Sequence, residues 1–158
     1  MLWGIEHSRV WRVAVAGLVL SALGVPSALS GRAEPTIDEL KARVASASIA
    51  DRPALCVRIA ERQVDAAGRL YVAGDSEKGQ AALADVVAYC ESARNYAIQS
   101  HKHEKQSEIA MRKMVRKLVD LEHTISHEEQ QQVQNAVDRL EHIRNDLLAD
   151  MFPKVGKK

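Results

Sequence analysis

The sequence predicts an all-α protein of antiparallel helical hairpins, arranged as an elongated three- to four-helix bundle with one long central helix. Apolar residues recur at three- and four-residue intervals through most of the chain, the spacing of one face of a helix. Thr36–Glu39 and Ser126–Glu129 have the Ser/Thr-x-x-Glu pattern of a capping box at a helix start. Hydrophobic residues make up 46% of the chain but aromatic residues only 4%. The core must therefore consist of aliphatic side chains on helix faces.

The first 33 residues have the order of a secretory signal. Arg9 and Arg12 precede an uncharged apolar run over residues 13–25, and small residues follow. This run is shorter than the roughly 20 residues that a membrane-spanning helix needs, so a cleaved signal is favoured over an uncleaved anchor. Cleavage after Ala33 or after Ser30 fits the small residues there.

Removing residues 1–33 leaves a helical domain over residues 34–152 and a disordered basic tail over residues 153–158. The whole chain has 22 Lys and Arg against 21 Asp and Glu, and the removed segment carries three arginines and one glutamate. The mature net charge is therefore −1. Near-neutral charge without interleaved aromatic residues argues against a nucleic-acid partner. We expect a periplasmic or secreted protein with no stable membrane span after cleavage.

Four helices are predicted after the signal. They run from the Thr36 cap to about Ala47, from about Pro53 to Val72, from about Glu77 to His123, and from the Ser126 cap to about Phe152. Gly74 is typical of the left-handed residue that follows a helix. Residues 99–108 contain no apolar side chain, but also no Pro or Gly. The third helix is therefore expected to continue through them; an interruption near residues 99–108 is the alternative, since 45 helical residues would extend roughly 70 Å.

Cys56 and Cys90 are predicted to form a disulfide. Their midpoint is residue 73, inside the turn signal over residues 72–75, and both lie on apolar faces. A helical hairpin folded at that turn places them opposite each other, and an exported protein enters a compartment that permits disulfides. Two buried free thiols are the alternative. A redox-active pair is disfavoured because the C-x-x-C spacing is absent.

Histidines and carboxylates in and beyond the polar segment form a candidate site for a divalent transition metal. The candidate ligands are His101, His103, Glu104, Glu108 and His142. Folding the chain back at about residue 125 brings Asp146 and Asp150 to the level of residues 100–104, and His142 close to Glu108. Imidazole and carboxylate groups bind such ions. The H-E-x-x-H spacing is absent, so a solvated, metal-free helix surface is the alternative, and no other cofactor is expected.

A basic stripe lies on the last third of the long helix. It consists of Arg112, Lys113, Arg116 and Lys117. The stripe could bind an anionic lipid, a polysaccharide or an acidic partner, or it could be a solvated face paired with nearby acids. The sequence has no G-x-S-x-G element and no glycine-rich phosphate loop. We therefore expect no enzymatic activity.

Parts of the chain resemble known helical proteins. Ala67–Val86, with Gly74 at the turn and Gly79 at a small position, resembles a single tetratricopeptide-type hairpin, which implies hairpin packing and a role in interaction. The layout is similar to small exported bacterial helical-hairpin proteins that act as envelope-stress chaperones or metal-resistance sensors. Their L-T-x-x-Q helix start compares with residues 125–130, ISHEEQ. Residues 56–152 also resemble uncharacterised exported bacterial helical proteins of no known activity.

The sequence thus favours an exported, non-enzymatic binding or scaffold protein that acts through protein–protein contacts or self-association. The expectation of self-association rests on surplus apolar surface at the end of the last helix. The residues concerned would otherwise face residues 99–108, and they are Leu147, Leu148, Met151 and Phe152. Coverage of these residues by the first of the four predicted helices would remove the argument for a dimer. The alternative is an envelope metal-binding sensor or stress chaperone that uses the region of His101, His103 and Glu104.

Overall fold

The structure, a computed structural model, describes residues 34–153. The expected signal over residues 1–33 and the basic residues 154–158 lie outside this range, so both expectations stay predictions. Five helices follow one another: α1 (Ile37–Ser46), α2 (Arg52–Val72), α3 (Ser76–Ser100), α4 (Glu104–Glu122) and α5 (His127–Met151). Residues 34–153 contain no strand, and the all-α class is confirmed. None of the five helices is long and apolar enough to cross a membrane.

The helices pack as two hairpins laid against each other. α2 lies against α3 and α4 against α5, while contacts of α3 with α5 and of α2 with α4 join the hairpins, and α1 packs on α2. Two ion pairs give the direction of the joined helices, because Glu91 and Arg94 of α3 bind Arg139 and Asp146 of α5, respectively. The order is ascending on both helices, so α3 and α5 run parallel.

The single long helix predicted over residues 77–123 is wrong, and the structure has the alternative, an interruption within residues 99–108. α3 ends at Ser100 and α4 begins at Glu104, and the chain reverses between them. His101 and His103 adopt left-handed backbone angles, with φ of 51° and 61°, a conformation that any residue with a Cβ enters at some cost. The absence of Pro and Gly concealed the break. A continuous helix would hold a polar segment that no neighbour could bury, whereas the reversal lets α3 and α4 each contribute a face to one core.

The other boundaries follow the capping chemistry of the sequence. Thr36 and Glu39 bond reciprocally through side chain and backbone, as a capping box requires. Glu129 accepts from the backbone N–H of Ser126 at 3.2 Å, which is the returning bond of the second box. Gly74 has a φ of 78°, and Asp75 accepts from the N–H of Lys78 to cap α3. These signals are local, so the sequence alone is enough to locate them.

The interior is aliphatic, as the composition predicts. The largest fully buried side chains include Leu40, Ile59, Met111, Met114, Leu118, Leu140, Ile143 and Leu147. Tyr71 is the aromatic exception within this core. Its ring is buried, and its hydroxyl donates to Oε1 of Gln132 at 3.1 Å. That hydrogen bond ties the turn end of the α2–α3 hairpin to α5.

Two helical glycines provide a matched test of this packing. A Cβ added at Gly79 would lie 2.9 Å from Cε2 of Tyr71, whereas one added at Gly68 would meet nothing within 4 Å. Gly79→Ala is expected to lower the free energy of unfolding by about 1–3 kcal/mol, because the hydrogen-bonded ring cannot yield freely. Gly68→Ala is expected to raise it by about 0.5–1 kcal/mol through helix propensity. Urea unfolding measures both; equal gains in the two variants would contradict the close approach at Gly79.

Candidate metal centre

The three-residue linker over residues 101–103 holds the part of the chain with the clearest chemical geometry. His101 ends α3 and His103 precedes α4, both in the left-handed conformation. Each such residue costs about 1–2 kcal/mol relative to an ordinary backbone. Strain of this kind on non-glycine residues persists where the surrounding structure imposes it, and it is frequent at functional sites.

His101, Glu104 and Asp150 come together at the end of this linker. One ligand atom from each lies within 4.8 Å of the other two, and Nδ1 of His101 is 3.4 Å from Oε1 of Glu104. The side chain of His101 is 81% exposed and that of Glu104 is 20% exposed. One imidazole nitrogen and two carboxylates form a donor set that suits borderline divalent ions. We call these three residues the metal centre.

Three different helices position the metal centre. His101 is the C-cap of α3, Glu104 is the first residue of α4, and Asp150 is in the last turn of α5. The left-handed turn at His101 reverses the chain, so that His101 and Glu104 lie on the same side of the linker. An ion bound here would cross-link the ends of α3 and α5 through the start of α4.

Three of the five predicted ligands lie outside the metal centre. His103 lines a small apolar depression of about 230 Å³ together with Ala54 and Val57 of α2. Glu108 is almost wholly buried and lies within ion-pair distance of Arg112, at 3.5 Å, and Arg144, at 3.2 Å. Glu108 is not among the residues whose ligand atoms meet at the metal centre.

His142 is also separate from the centre. Its Nε2 lies 3.8 Å from Asp146 of the same helix. Folding the chain at about residue 125 predicts that Asp150, the third member of the centre, lies at the level of residues 100–104. The sequence contained no signal that singled it out from Asp146 as a ligand.

The basic stripe is partly engaged within the chain. Arg112 pairs with Glu108, and Lys117 lies 2.8 Å from Oδ1 of Asp65 on α2. Lys113 and Arg116 are exposed, and no carboxylate of residues 34–153 lies within ion-pair distance of either. Two of the four residues thus pair with acids of the chain, and binding of an anion or acidic partner stays a prediction.

Cys56 and Cys90 are free thiols in the structure, not a disulfide, and both are completely buried in one core cluster. Burial raises the pKa of Cys56 to about 11, with Arg52 opposing the shift. Burial also raises the pKa of Cys90 to about 12, with a further contribution from the nearby thiol of Cys56. Packing of the α2–α3 hairpin thus brings the two side chains into the same buried cluster. The disulfide itself stays a prediction.

The surplus apolar surface predicted for the end of α5 is largely covered within the monomer. Leu147 is fully buried, and Leu148 and Met151 are half-buried, whereas Phe152 is 72% exposed. α1 does not provide the cover, because it packs on α2 and its Lys41 pairs with Asp85 of α3. The sequence-based argument for a dimer therefore loses most of its basis.

A shallow groove of about 410 Å³ lies between α3 and α5. Leu83, Val87 and Ala136 line it, with Glu91 and Arg139 among its polar residues. Its lining thus combines apolar and polar side chains.

Comparisons with known proteins give no relative for this chain. No protein-family model, no curated protein and no solved structure matches it.

Proposed function

We propose that this protein is an exported, non-catalytic helical protein that binds a divalent transition-metal ion at the metal centre. The observation that carries the proposal is the meeting of His101, Glu104 and Asp150 within 4.8 Å. Export rests on the signal-like order of residues 1–33, and the absence of enzymatic activity rests on the motifs that the sequence lacks.

The donor set and its exposure favour reversible binding. One nitrogen and two oxygen ligands suit Zn²⁺, Ni²⁺ or Co²⁺ better than Cu⁺, which prefers sulfur, or Ca²⁺, which takes six to eight oxygens. Structural zinc sites have four protein ligands and little solvent access. Three ligands, one of them 81% exposed, leave coordination positions for water and allow the ion to exchange. This favours a sensor or carrier over a structural metal site.

Binding of a protein partner is the second candidate function, and one observation favours it. The groove between α3 and α5 combines apolar side chains such as Leu83 and Val87 with the ion pair of Glu91 and Arg139 at its edge. Such a surface suits a transient contact, in which an apolar centre has a polar rim. Self-association through this groove would fit the same observation.

Glycine substitutions in the linker test the metal proposal. His101→Gly and His103→Gly each relieve a left-handed residue, so each is expected to raise the stability of the metal-free protein by up to about 1 kcal/mol. Calorimetric titration with Zn²⁺ should then distinguish the two variants by their dissociation constants. His101→Gly is expected to weaken binding at least about 100-fold, since it removes a direct ligand and loss of outer partners alone costs 10–100-fold.

His103→Gly is the matched control, because it makes the same change two residues away in the same backbone conformation. It is expected to leave the dissociation constant within about threefold of the original chain. Equal weakening in both variants would assign the effect to linker flexibility. Unchanged binding in His101→Gly would remove the metal centre as the site.

A further inference from the structure

We infer that Asp146 is a fourth ligand of the metal centre and that Arg94 restrains it, so that this ion pair sets the affinity for the metal. The inference rests on the proposed function and identifies what regulates that site. It starts from coordination number: three protein ligands leave at least one position open on a tetrahedral ion.

Asp146 is the carboxylate best placed to fill that position. It precedes Asp150 by four residues on α5, and residues at this spacing have Cβ atoms about 5–6 Å apart on one face. The two side chains therefore lie on the same side of α5, one helical turn apart. Asp146 is not among the residues whose ligand atoms meet in the structure, so its carboxylate must rotate away from Arg94 to reach the same ion.

Arg94 holds Asp146 in its present position. Its guanidinium pairs with Oδ2 of Asp146 from the neighbouring helix α3, and the two side chains are 24% and 37% exposed, respectively. Nε2 of His142 approaches the same oxygen at 3.8 Å. Oδ1 of Asp146 accepts no hydrogen bond from residues 34–153. The carboxylate is thus anchored through one oxygen and has coordinating capacity left on the other.

Metal binding and this ion pair compete for one negative charge. A guanidinium and a divalent ion that share a carboxylate repel each other, and half-burial strengthens that repulsion compared with water. While Asp146 is paired with Arg94, as in the structure, the centre has three ligands. When Asp146 leaves Arg94, the centre has four ligands and holds the ion more tightly. Arg94 therefore weakens the affinity of the centre.

A double-mutant cycle with Zn²⁺ as the probe tests the inference. Dissociation constants are measured by calorimetry for the original chain, Arg94→Gln, Asp146→Asn and the double variant. We expect Arg94→Gln to tighten binding about tenfold and Asp146→Asn to weaken it about tenfold, the size of effect typical of residues that orient or supply ligands. In the Asp146→Asn background, Arg94→Gln should change binding less than about threefold, through loss of a nearby positive charge alone. Thermal unfolding without metal verifies that each variant is folded.

The outcomes distinguish the inference from the proposed function. If the original chain binds Zn²⁺ through His101 but Arg94→Gln has the same effect in both backgrounds, Asp146 is not a ligand and the metal centre has three. If Asp146→Asn leaves the dissociation constant unchanged, the inference is overturned in the same way. If the original chain does not bind Zn²⁺, or binds it equally well after His101→Gly, the proposed function is wrong, and the inference falls with it.

Discussion

Oxidation of Cys56 and Cys90 to a disulfide is expected to raise the free energy of unfolding by about 3–4 kcal/mol. The bridge would close a loop of 35 residues, counted from 56 through 90, and the chain-entropy model assigns a stabilisation of that size to such a loop. The two thiols, one on α2 and one on α3, already share one buried core cluster. The bond would therefore join helices that pack together without it, and its main effect is on the unfolded chain.

The timing of oxidation provides the test. Because both thiols are buried and have raised pKa values, oxidised glutathione added to the folded protein should react slowly. The same reagent present during refolding should yield the bridge, with the two thiols losing two hydrogens as the glutathione disulfide is reduced to two thiols. Mass spectrometry reports the loss of two hydrogens, and urea unfolding with and without reductant reports the stability. An oxidised form no more stable than the reduced form would contradict the expectation.

Alkaline pH is expected to destabilise the reduced protein far more than a cysteine-free variant. The thiol pKa values rise from an ordinary 9.0 to about 11 for Cys56 and about 12 for Cys90, because burial penalises the thiolate. Above pH 9 the unfolded chain therefore loses protons that the folded chain keeps. The stability contributed by the buried thiols is complete below that pH and decreases as the pH rises toward 11 and beyond. Each thiol contributes a slope of at most about 1.4 kcal/mol per pH unit.

Urea unfolding between pH 8 and pH 11 checks this expectation, with Cys56→Ala/Cys90→Ala as the control. Tyr71 has a raised pKa for reasons of burial and the nearby Glu129, and its effect is the same in both proteins. The difference between the two curves therefore isolates the cysteines. The reduced protein should lose stability faster than the control above pH 9, and the oxidised protein should not. Parallel curves would show that the thiols are not buried in solution as the structure has them.

Local signals in the sequence were sufficient for most of the secondary structure. The capping boxes at Thr36 and Ser126 and the left-handed Gly74 each depend on a few neighbouring residues, and all three are found where the sequence places them. The break between α3 and α4 is different in kind. It depends on two left-handed histidines, His101 and His103, that local propensity disfavours. It is stabilised by tertiary burial of the faces of α3 and α4.

The candidate metal centre was predictable in its location but not in its membership. The fold-back near residue 125 placed the end of α5 beside residues 100–104, and the structure brings His101, Glu104 and Asp150 together there. Whether a given carboxylate is free to bind a metal depends on its neighbours in space. Glu108 faces Arg144 across the α4–α5 interface, and sequence spacing alone does not reveal that pairing.

The most direct test of the metal centre is an anomalous difference map from crystals of the protein grown with Zn²⁺ and measured at the zinc edge. The account predicts a peak within about 2.0–2.2 Å of a ring nitrogen of His101 and of a carboxylate oxygen of both Glu104 and Asp150. A map in which every anomalous peak lies elsewhere, for example beside the exposed His127 or His142, would contradict it.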